Sequence, residues 1–180
     1  MTRDVPMSPG QVARAVGVGA TRLIAGGLSA VEREQQLDEL AGLYAERTDV
    51  RHRFAPLGDH PLRTRAELRA HFARASALTG RPDRFEQVDI VIHTTGDPEV
   101  VIVQYSYRIS REGREYSAPA IHVVRVRDGE IVESRDYAHH IELARAMGRL
   151  GELAEALANA ASPSSDGSMA HSGSGMSGSR

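Results

Sequence analysis

The feature that most constrains the fold is a change of period near the middle of the chain. From Phe85 onward, apolar and polar residues alternate in four runs: Phe85 to Thr94, Val101 to Ile109, Tyr116 to Arg127 and Glu130 to Tyr137. Alternation of period two is the mark of a strand with one buried face. The runs are separated only by Gly96-Asp97-Pro98, Glu112-Gly113 and Asp128-Gly129. Asp-Gly is a strong hairpin signal, because both central positions of a type I′ turn need a positive φ. Strands joined by such short turns must run antiparallel, so this half reads as a meander. In the first run, Val88, Ile90 and Ile92 share one face and Gln87, Asp89 and His93 the other.

The first half has helical period. Ser8-Pro9 predicts a helix start, with Ser8 as N-cap and Pro9 in the first turn, and Gly26-Gly27 predicts its end after Ala25. A second helix is expected from Ser29 to about Glu46, carried by Val31, Leu37, Leu40, Leu43 and Tyr44. A short strand, Thr48 to Phe54, and a turn rich in Pro, Gly and Asp (Pro56, Gly58, Asp59, Pro61) follow. Thr64 and Glu67 have capping-box spacing and open a third helix, with Leu68, Phe72 and Ala75 on one face and a stop near Gly80-Arg81-Pro82. Helical spacing returns from Ile141 to Ala160. Helices followed by a long meander define an α+β fold, with the N-terminal helices packed in the concave face of a curved antiparallel sheet. The expected organisation is an N-terminal helical extension (1–28), a main domain with a C-terminal helix (29–160) and a disordered Ser/Gly-rich tail (161–180).

Composition removes several function classes. The chain has 180 residues, about one domain's worth, and with no Trp and three Phe its core must be mainly aliphatic. There is no cysteine, which excludes disulfides, thiolate nucleophiles and Cys-ligated metals. A formal net charge of −2 offers no basic field, so no nucleic-acid partner is expected. The apolar stretch Val12 to Val31 is interrupted by Arg14 and Arg22, so neither a membrane span nor a signal peptide is expected, and the expected location is the cytoplasm.

Three residues are candidates for catalysis: Asp136, His122 and His71. His122 shares its face with Val124 and Val126, and Asp136 shares its face with Val132 and Ser134. Both lie about seven residues from the Asp128-Gly129 turn, on opposite arms, which makes them cross-strand neighbours. A carboxylate beside an imidazole in an apolar cavity can exchange protons near neutral pH. The same pair also reads as a satisfied buried polar contact. Tyr105, Tyr107, Phe72 and Val124 are the candidate substrate contacts. His139-His140 is the one metal-like pair, but adjacent residues diverge and no ligand spacing surrounds them, so no metal is expected.

The stretch His122-Val-Val-Arg-Val-Arg-Asp-Gly129-Glu-Ile131-Val-Glu-Ser-Arg-Asp136-Tyr137 resembles the closing hairpin of the SnoaL-like branch of the nuclear transport factor 2-like superfamily. Ile141-Glu-Leu-Ala-Arg145-Ala-Met-Gly148 is similar to the tail of the phenazine-biosynthesis A/B-type proteins. The resemblance covers roughly Ser29 to Leu157. It implies a cone-shaped α+β barrel, a homodimer through the outer sheet face, and a deep pocket with no cofactor. It further implies a proton donor or acceptor at Asp136 and a pocket histidine at His71. The serine that follows that histidine in those proteins is Ala75 here, with Ser76 beside it, and their Asn-Pro pair is replaced by His139-His140. The implied function is acid/base chemistry of isomerase, cyclase or dehydratase type on a largely apolar secondary metabolite. The alternative is a non-catalytic ligand-binding or regulatory domain. Epoxide hydrolysis ranks lower, because the middle strands present no Asp–Arg–Asp set on their inner face.

Overall fold

The structure is a computed structural model that describes residues 6–77 and 82–161. In chain order its elements are α1 (Pro9–Ala25), α2 (Ala30–Gly42), β1 (Tyr44–His52), β2 (Leu62–Thr64), α3 (Arg65–Ser76), β3 (Arg84–Thr94), β4 (Val100–Arg111), β5 (Arg114–Arg127), β6 (Glu130–Ala138), α4 (His140–Ala146) and α5 (Leu150–Ala161). Strands β3 to β6 form the expected antiparallel meander. Strand β1 then pairs in parallel with the outer edge of β6, and β2 pairs antiparallel with β1. The sheet order is β2-β1-β6-β5-β4-β3. The sheet is therefore mixed at one joint, and that joint encloses β6 between two neighbours.

Helix α1 has the expected limits, and the Ser8 N–H donates to Gln11 Oε1 at 2.8 Å. Helix α2 stops at Gly42, short of the expected Glu46. Tyr44 opens β1 instead: the Ile131 N–H donates to the Leu43 carbonyl at 2.8 Å, and Tyr44 is buried. Sheet pairing and burial of a large ring outweigh helical spacing there. Thr64 accepts from the Glu67 N–H at 3.2 Å and caps α3, while the Glu67 carboxylate accepts from Arg63 rather than Thr64, so the capping box is offset by one residue. The third helix ends at Ser76, and the expected stop at Gly80 and Arg81 lies outside the described residues. The single C-terminal helix expected is two, broken at Gly148, which has φ +68°. A Cβ at that position would collide with the Arg111 guanidinium. The tail from Ser162 lies outside the described residues.

Two bulges set which side chains face inward. In β3 the register slips between Val88 and Val91, where Asp89 adopts φ +55°. The extra residue reverses the alternation. Gln87 therefore faces inward, although Ile90 and Ile92 also pack against the core. This corrects the expectation that Gln87 opposes Ile90. A second slip, opposite Arg125 and Val126, leaves Val132 unpaired in β6. Ile131, 1% exposed, takes the inner position expected of Val132, while Ser134 and Asp136 keep theirs.

The core fills the concave face under α1, α2 and α3. Leu37, Leu40, Leu68, Ile109, Ile131 and Val12 are its most completely buried side chains. Each removes enough apolar surface from water to contribute about 1.5–3 kcal/mol. Val12 and Leu23 of α1 belong to the same cluster as Val103 and Tyr105, so α1 packs inside the cone. Among the described residues no helix is long and apolar enough to cross a membrane.

The bulge at Asp89 generates a stability prediction. Asp tolerates the left-handed region better than a β-branched residue, and Gly adopts it freely. Asp89→Gly should unfold at equal or higher urea concentration than wild type, whereas Asp89→Val should lose about 1–2 kcal/mol.

Candidate active site

The site is built on β6. In the sheet register Asp136 lies opposite His122 of β5 on one side and opposite His52 of β1 on the other. His122 Nε2 is 3.0 Å from Asp136 Oδ1, and His52 Nε2 is 3.9 Å from Oδ2. The His122 N–H does not aim at Oδ1, which stays buried without a directed hydrogen bond. Burial pushes the Asp136 carboxyl up, but His122, then His52 and His140, outweigh it and hold its pKa below the ordinary aspartate value. The carboxylate is thus ionised at neutral pH even though its side chain is only 15% exposed.

Two more histidines complete the surroundings. His71 of α3 stacks at 5.1 Å, centroid to centroid, on His52. Burial, aided by neighbouring His52, pushes its pKa down to about 4, so its imidazole is neutral at pH 7. His140, at the start of α4, meets His52 edge-on at 6.3 Å, and burial lowers its pKa as well. Among the described residues, no group of three or more His, Asp or Glu is arranged to hold a metal ion.

A line of hydroxyls runs away from His122. Its Nε2 is 3.1 Å from the Tyr105 hydroxyl, which is 3.0 Å from that of Tyr107. The Gln87 side chain lines the cavity beside these hydroxyls, as the cross-strand partner of Tyr107. Burial, reinforced by the Asp136 charge, pushes Tyr107 up to about 12, and burial raises Tyr105 too. Both phenols stay protonated and can pass a proton only while receiving another.

These groups meet at an inner cavity of about 130 Å³. Asp136, His122, His52, His71, Tyr107 and Gln87 supply its polar lining, and Tyr44, Phe72 and aliphatic residues of α1 and α3 supply the rest. Of the candidate substrate contacts, Tyr107 and Phe72 line the cavity. Tyr105, 2% exposed, lies behind its wall, and Val124, 3% exposed, belongs to the core. A wider groove of about 570 Å³ crosses the outer sheet face near Phe54, Ile121, Tyr137 and His139. Despite its size it lacks the chemistry of the inner cavity, because Asp136, His122, His52 and His71 face inward.

Sequence reasoning brought Asp136, His122 and His71 together but missed four residues of this site. His52 arrives through the parallel β1–β6 pairing, which no local turn encodes. Gln87 arrives through the bulge, whose one local cue is an Asp inside a strand. Tyr44 was masked by its helical spacing. His140 reads as half of an exposed pair until the short link after β6 folds it back beside His52.

A family profile described as the SnoaL-like domain matches residues 27–134, more than half of the chain. Asp136 lies just past the end of that segment. Solved structures with the same fold include a protein from Pseudomonas putida designated a candidate polyketide cyclase, 13% identical, TM-score 0.56, covering 78% of this chain and 98% of its own. A phenazine biosynthesis-related protein from Pseudomonas aeruginosa is 16% identical, TM-score 0.52, over 78% of this chain and 89% of its own. A protein of ketosteroid isomerase-like fold from Catenulispora acidiphila, solved with trimethylamine, is 16% identical, TM-score 0.56, over 79% and 95%. At these identities the likeness establishes the fold. No curated protein sequence matches at a significant level.

The lowered pKa of His71 makes stability depend on pH. In the unfolded chain His71 takes up a proton near 6.5, whereas in the folded protein it does so only near 4. Below pH 6.5 the unfolded state therefore binds more protons, and stability falls until about pH 4. Urea unfolding of wild type at pH 7 and pH 4.5 should differ by on the order of 2 kcal/mol more than in His71→Gln. Equal pH dependence in the two proteins would contradict the buried neutral imidazole.

Proposed function

We propose that this chain, which belongs to the SnoaL-like domain family, is a cofactor-independent enzyme of secondary metabolism that moves protons on a small carbonyl compound. The observation that carries this reading is an ionised, poorly hydrogen-bonded carboxylate, Asp136, exposed to an otherwise largely apolar cavity. Because the flanking histidines hold its pKa below that of free aspartate, the carboxylate is fully ionised and ready to accept a proton at neutral pH. Asp136 is the general base, removing a proton from carbon next to the carbonyl. His122 and His52 hold the carboxylate ionised before the step and accept part of its charge redistribution afterwards. Neutral His71 supplies a hydrogen bond to the ligand without adding positive charge.

Family membership, together with the fold shared with proteins designated cyclase or isomerase-like, supports isomerase or cyclase chemistry. Dehydration uses the same first proton removal. The cavity volume favours a ligand far smaller than a folded polyketide chain. The test is proton exchange at carbon. Wild type incubated in D2O with cyclopentanone or acetophenone should deplete the α-proton NMR signals, and Asp136→Asn should slow this on the order of 100-fold. Exchange at the same rate in both proteins sinks the reading. Ligand binding with no exchange in wild type selects the alternative, a binding or regulatory domain.

The outer groove supports a homodimer through the outer sheet face. Phe54, Ile121 and Ile141 are exposed around it and offer apolar contacts to a second copy. Sedimentation should give a dimer for wild type and a monomer for Ile121→Asp.

A further inference from the structure

A line of close polar contacts that begins at Asp136 leaves the cavity and returns to it. Asp136 and His122 line the cavity, Tyr105 lies behind the wall, and Tyr107 lines the cavity again. The steps along the way are 3.0 Å from Asp136 Oδ1 to His122 Nε2, 3.1 Å from Nε2 to the Tyr105 hydroxyl, and 3.0 Å from that hydroxyl to Tyr107. One ring atom, Nε2, lies within reach of both the carboxylate and the phenol, and a turn of the imidazole re-aims it from one to the other. The path thus has two ends that both face the ligand and a middle from which solvent is excluded.

We infer that Asp136, His122, Tyr105 and Tyr107 form a closed proton relay, which carries a proton taken from a ligand carbon at Asp136 back to a ligand oxygen at Tyr107. The inference rests on the general-base role of Asp136 proposed above. The C–H bond breaks and its proton goes to Asp136, leaving the electron pair on the ligand as an enolate. Tyr107 gives its hydroxyl proton to the enolate oxygen and takes the proton of Tyr105. Tyr105 takes the Nε2 proton of His122, and Nε2 takes the proton from Asp136. One proton leaves carbon, one arrives on oxygen, and every protein group ends with the protons it started with. No oxidant or metal enters.

The geometry also defines positioning residues. Gln87 is the cross-strand partner of Tyr107 and packs in the cavity wall beside the two phenols. It reaches them because of the bulge at Asp89 and because Gly17 of α1 leaves room: a Cβ at Gly17 would collide with Gln87 Oε1. The ligand class that fits is a small, neutral enolisable ketone or 1,3-dicarbonyl compound, with its acidic carbon at Asp136 and its oxygen at Tyr107. An anionic ligand would be repelled by Asp136.

Acetylacetone is the probe, because its keto and enol forms coexist in water and interconvert by this carbon-to-oxygen transfer. Their interconversion is followed by ultraviolet absorbance. Wild type should accelerate it. Tyr105→Phe cuts the relay without altering a cavity-lining group, and should lower the catalysed rate about tenfold or more, while Tyr137→Phe on the outer face leaves it unchanged. A Tyr105→Phe variant as fast as wild type overturns the relay. Asp136→Asn tests the base alone: loss of rate there with full rate in Tyr105→Phe keeps the proposed function and removes the relay. If wild type leaves acetylacetone unaffected, nitrogen-15 NMR of the histidines decides. A connected chain transmits removal of the Tyr107 hydroxyl, so Tyr107→Phe should shift the His122 Nε2 resonance through Tyr105. An unmoved resonance overturns the relay whatever the ligand.

Discussion

Burying a carboxylate costs several kcal/mol unless nearby groups hold its charge, and the whole arrangement around Asp136 answers that cost. On an edge strand the carboxylate would have one neighbour and open water on the other side. Here β1 pairs in parallel with β6 and closes that side, so histidines stand on both flanks: His122 in the antiparallel register and His52 in the parallel one. The fold and the site therefore share one joint. If β1 were lost from β6, the core would lose Tyr44 and Val50, and Asp136 would lose His52, one of the three histidines that keep it ionised.

That joint fixes where the acid sits, and the bulges fix what faces it. A strand with perfect alternation would put Gln87 outside the cone, away from the tyrosine hydroxyls. One extra residue at Asp89 turns Gln87 inward and still leaves Ile90 and Ile92 against the core. In β6, the unpaired Val132 lets Ile131 fill the apolar interior while Ser134 and Asp136 retain the inner face. In both strands the bulge lies between an apolar segment and a polar one, so each strand can serve packing and chemistry. The positive φ at Asp89 is the local strain that this arrangement carries.

What could be read from the sequence follows the range of the interaction. The Asp128-Gly129 turn fixes the β5–β6 register by itself, and His122 and Asp136 are direct partners as that turn requires. The Ser8-Pro9 start and the Thr64 cap are likewise local and legible. The β1–β6 pairing joins segments far apart in sequence, so His52 carried no local signal as a site residue. Tyr44 shows the opposite failure: its helical spacing is real, but burial of its ring in the sheet core decides its place. Gly148 interrupts a helical pattern whose apolar spacing continues on both sides, and its positive φ ends the first helix there, with the Arg111 guanidinium packed against it from far away in sequence. A bulge shifts every later side chain to the other face, so a single unrecognised residue misplaced Gln87 although the strand itself was correctly identified.

Enclosure is the last consequence of the same packing. The cavity of about 130 Å³ has room for about four waters at liquid density. Its walls include Val16, Gly17, Ala20, Leu23 and Ile24, all from α1. Yet α1 also contributes Val12 and Leu23 to the main core. The helix cannot swing aside without exposing those side chains, at about 1.5–3 kcal/mol each. A ligand larger than the cavity must therefore supply that energy from its own contacts before it reaches Asp136. Size selection is thus built into the core rather than into a loop, and Gly17 marks the closest approach between the helix and the polar wall. The same closure keeps water from the Oδ1 atom that no donor satisfies, and the penalty this desolvation imposes is what the flanking histidines outweigh in keeping the carboxylate ionised.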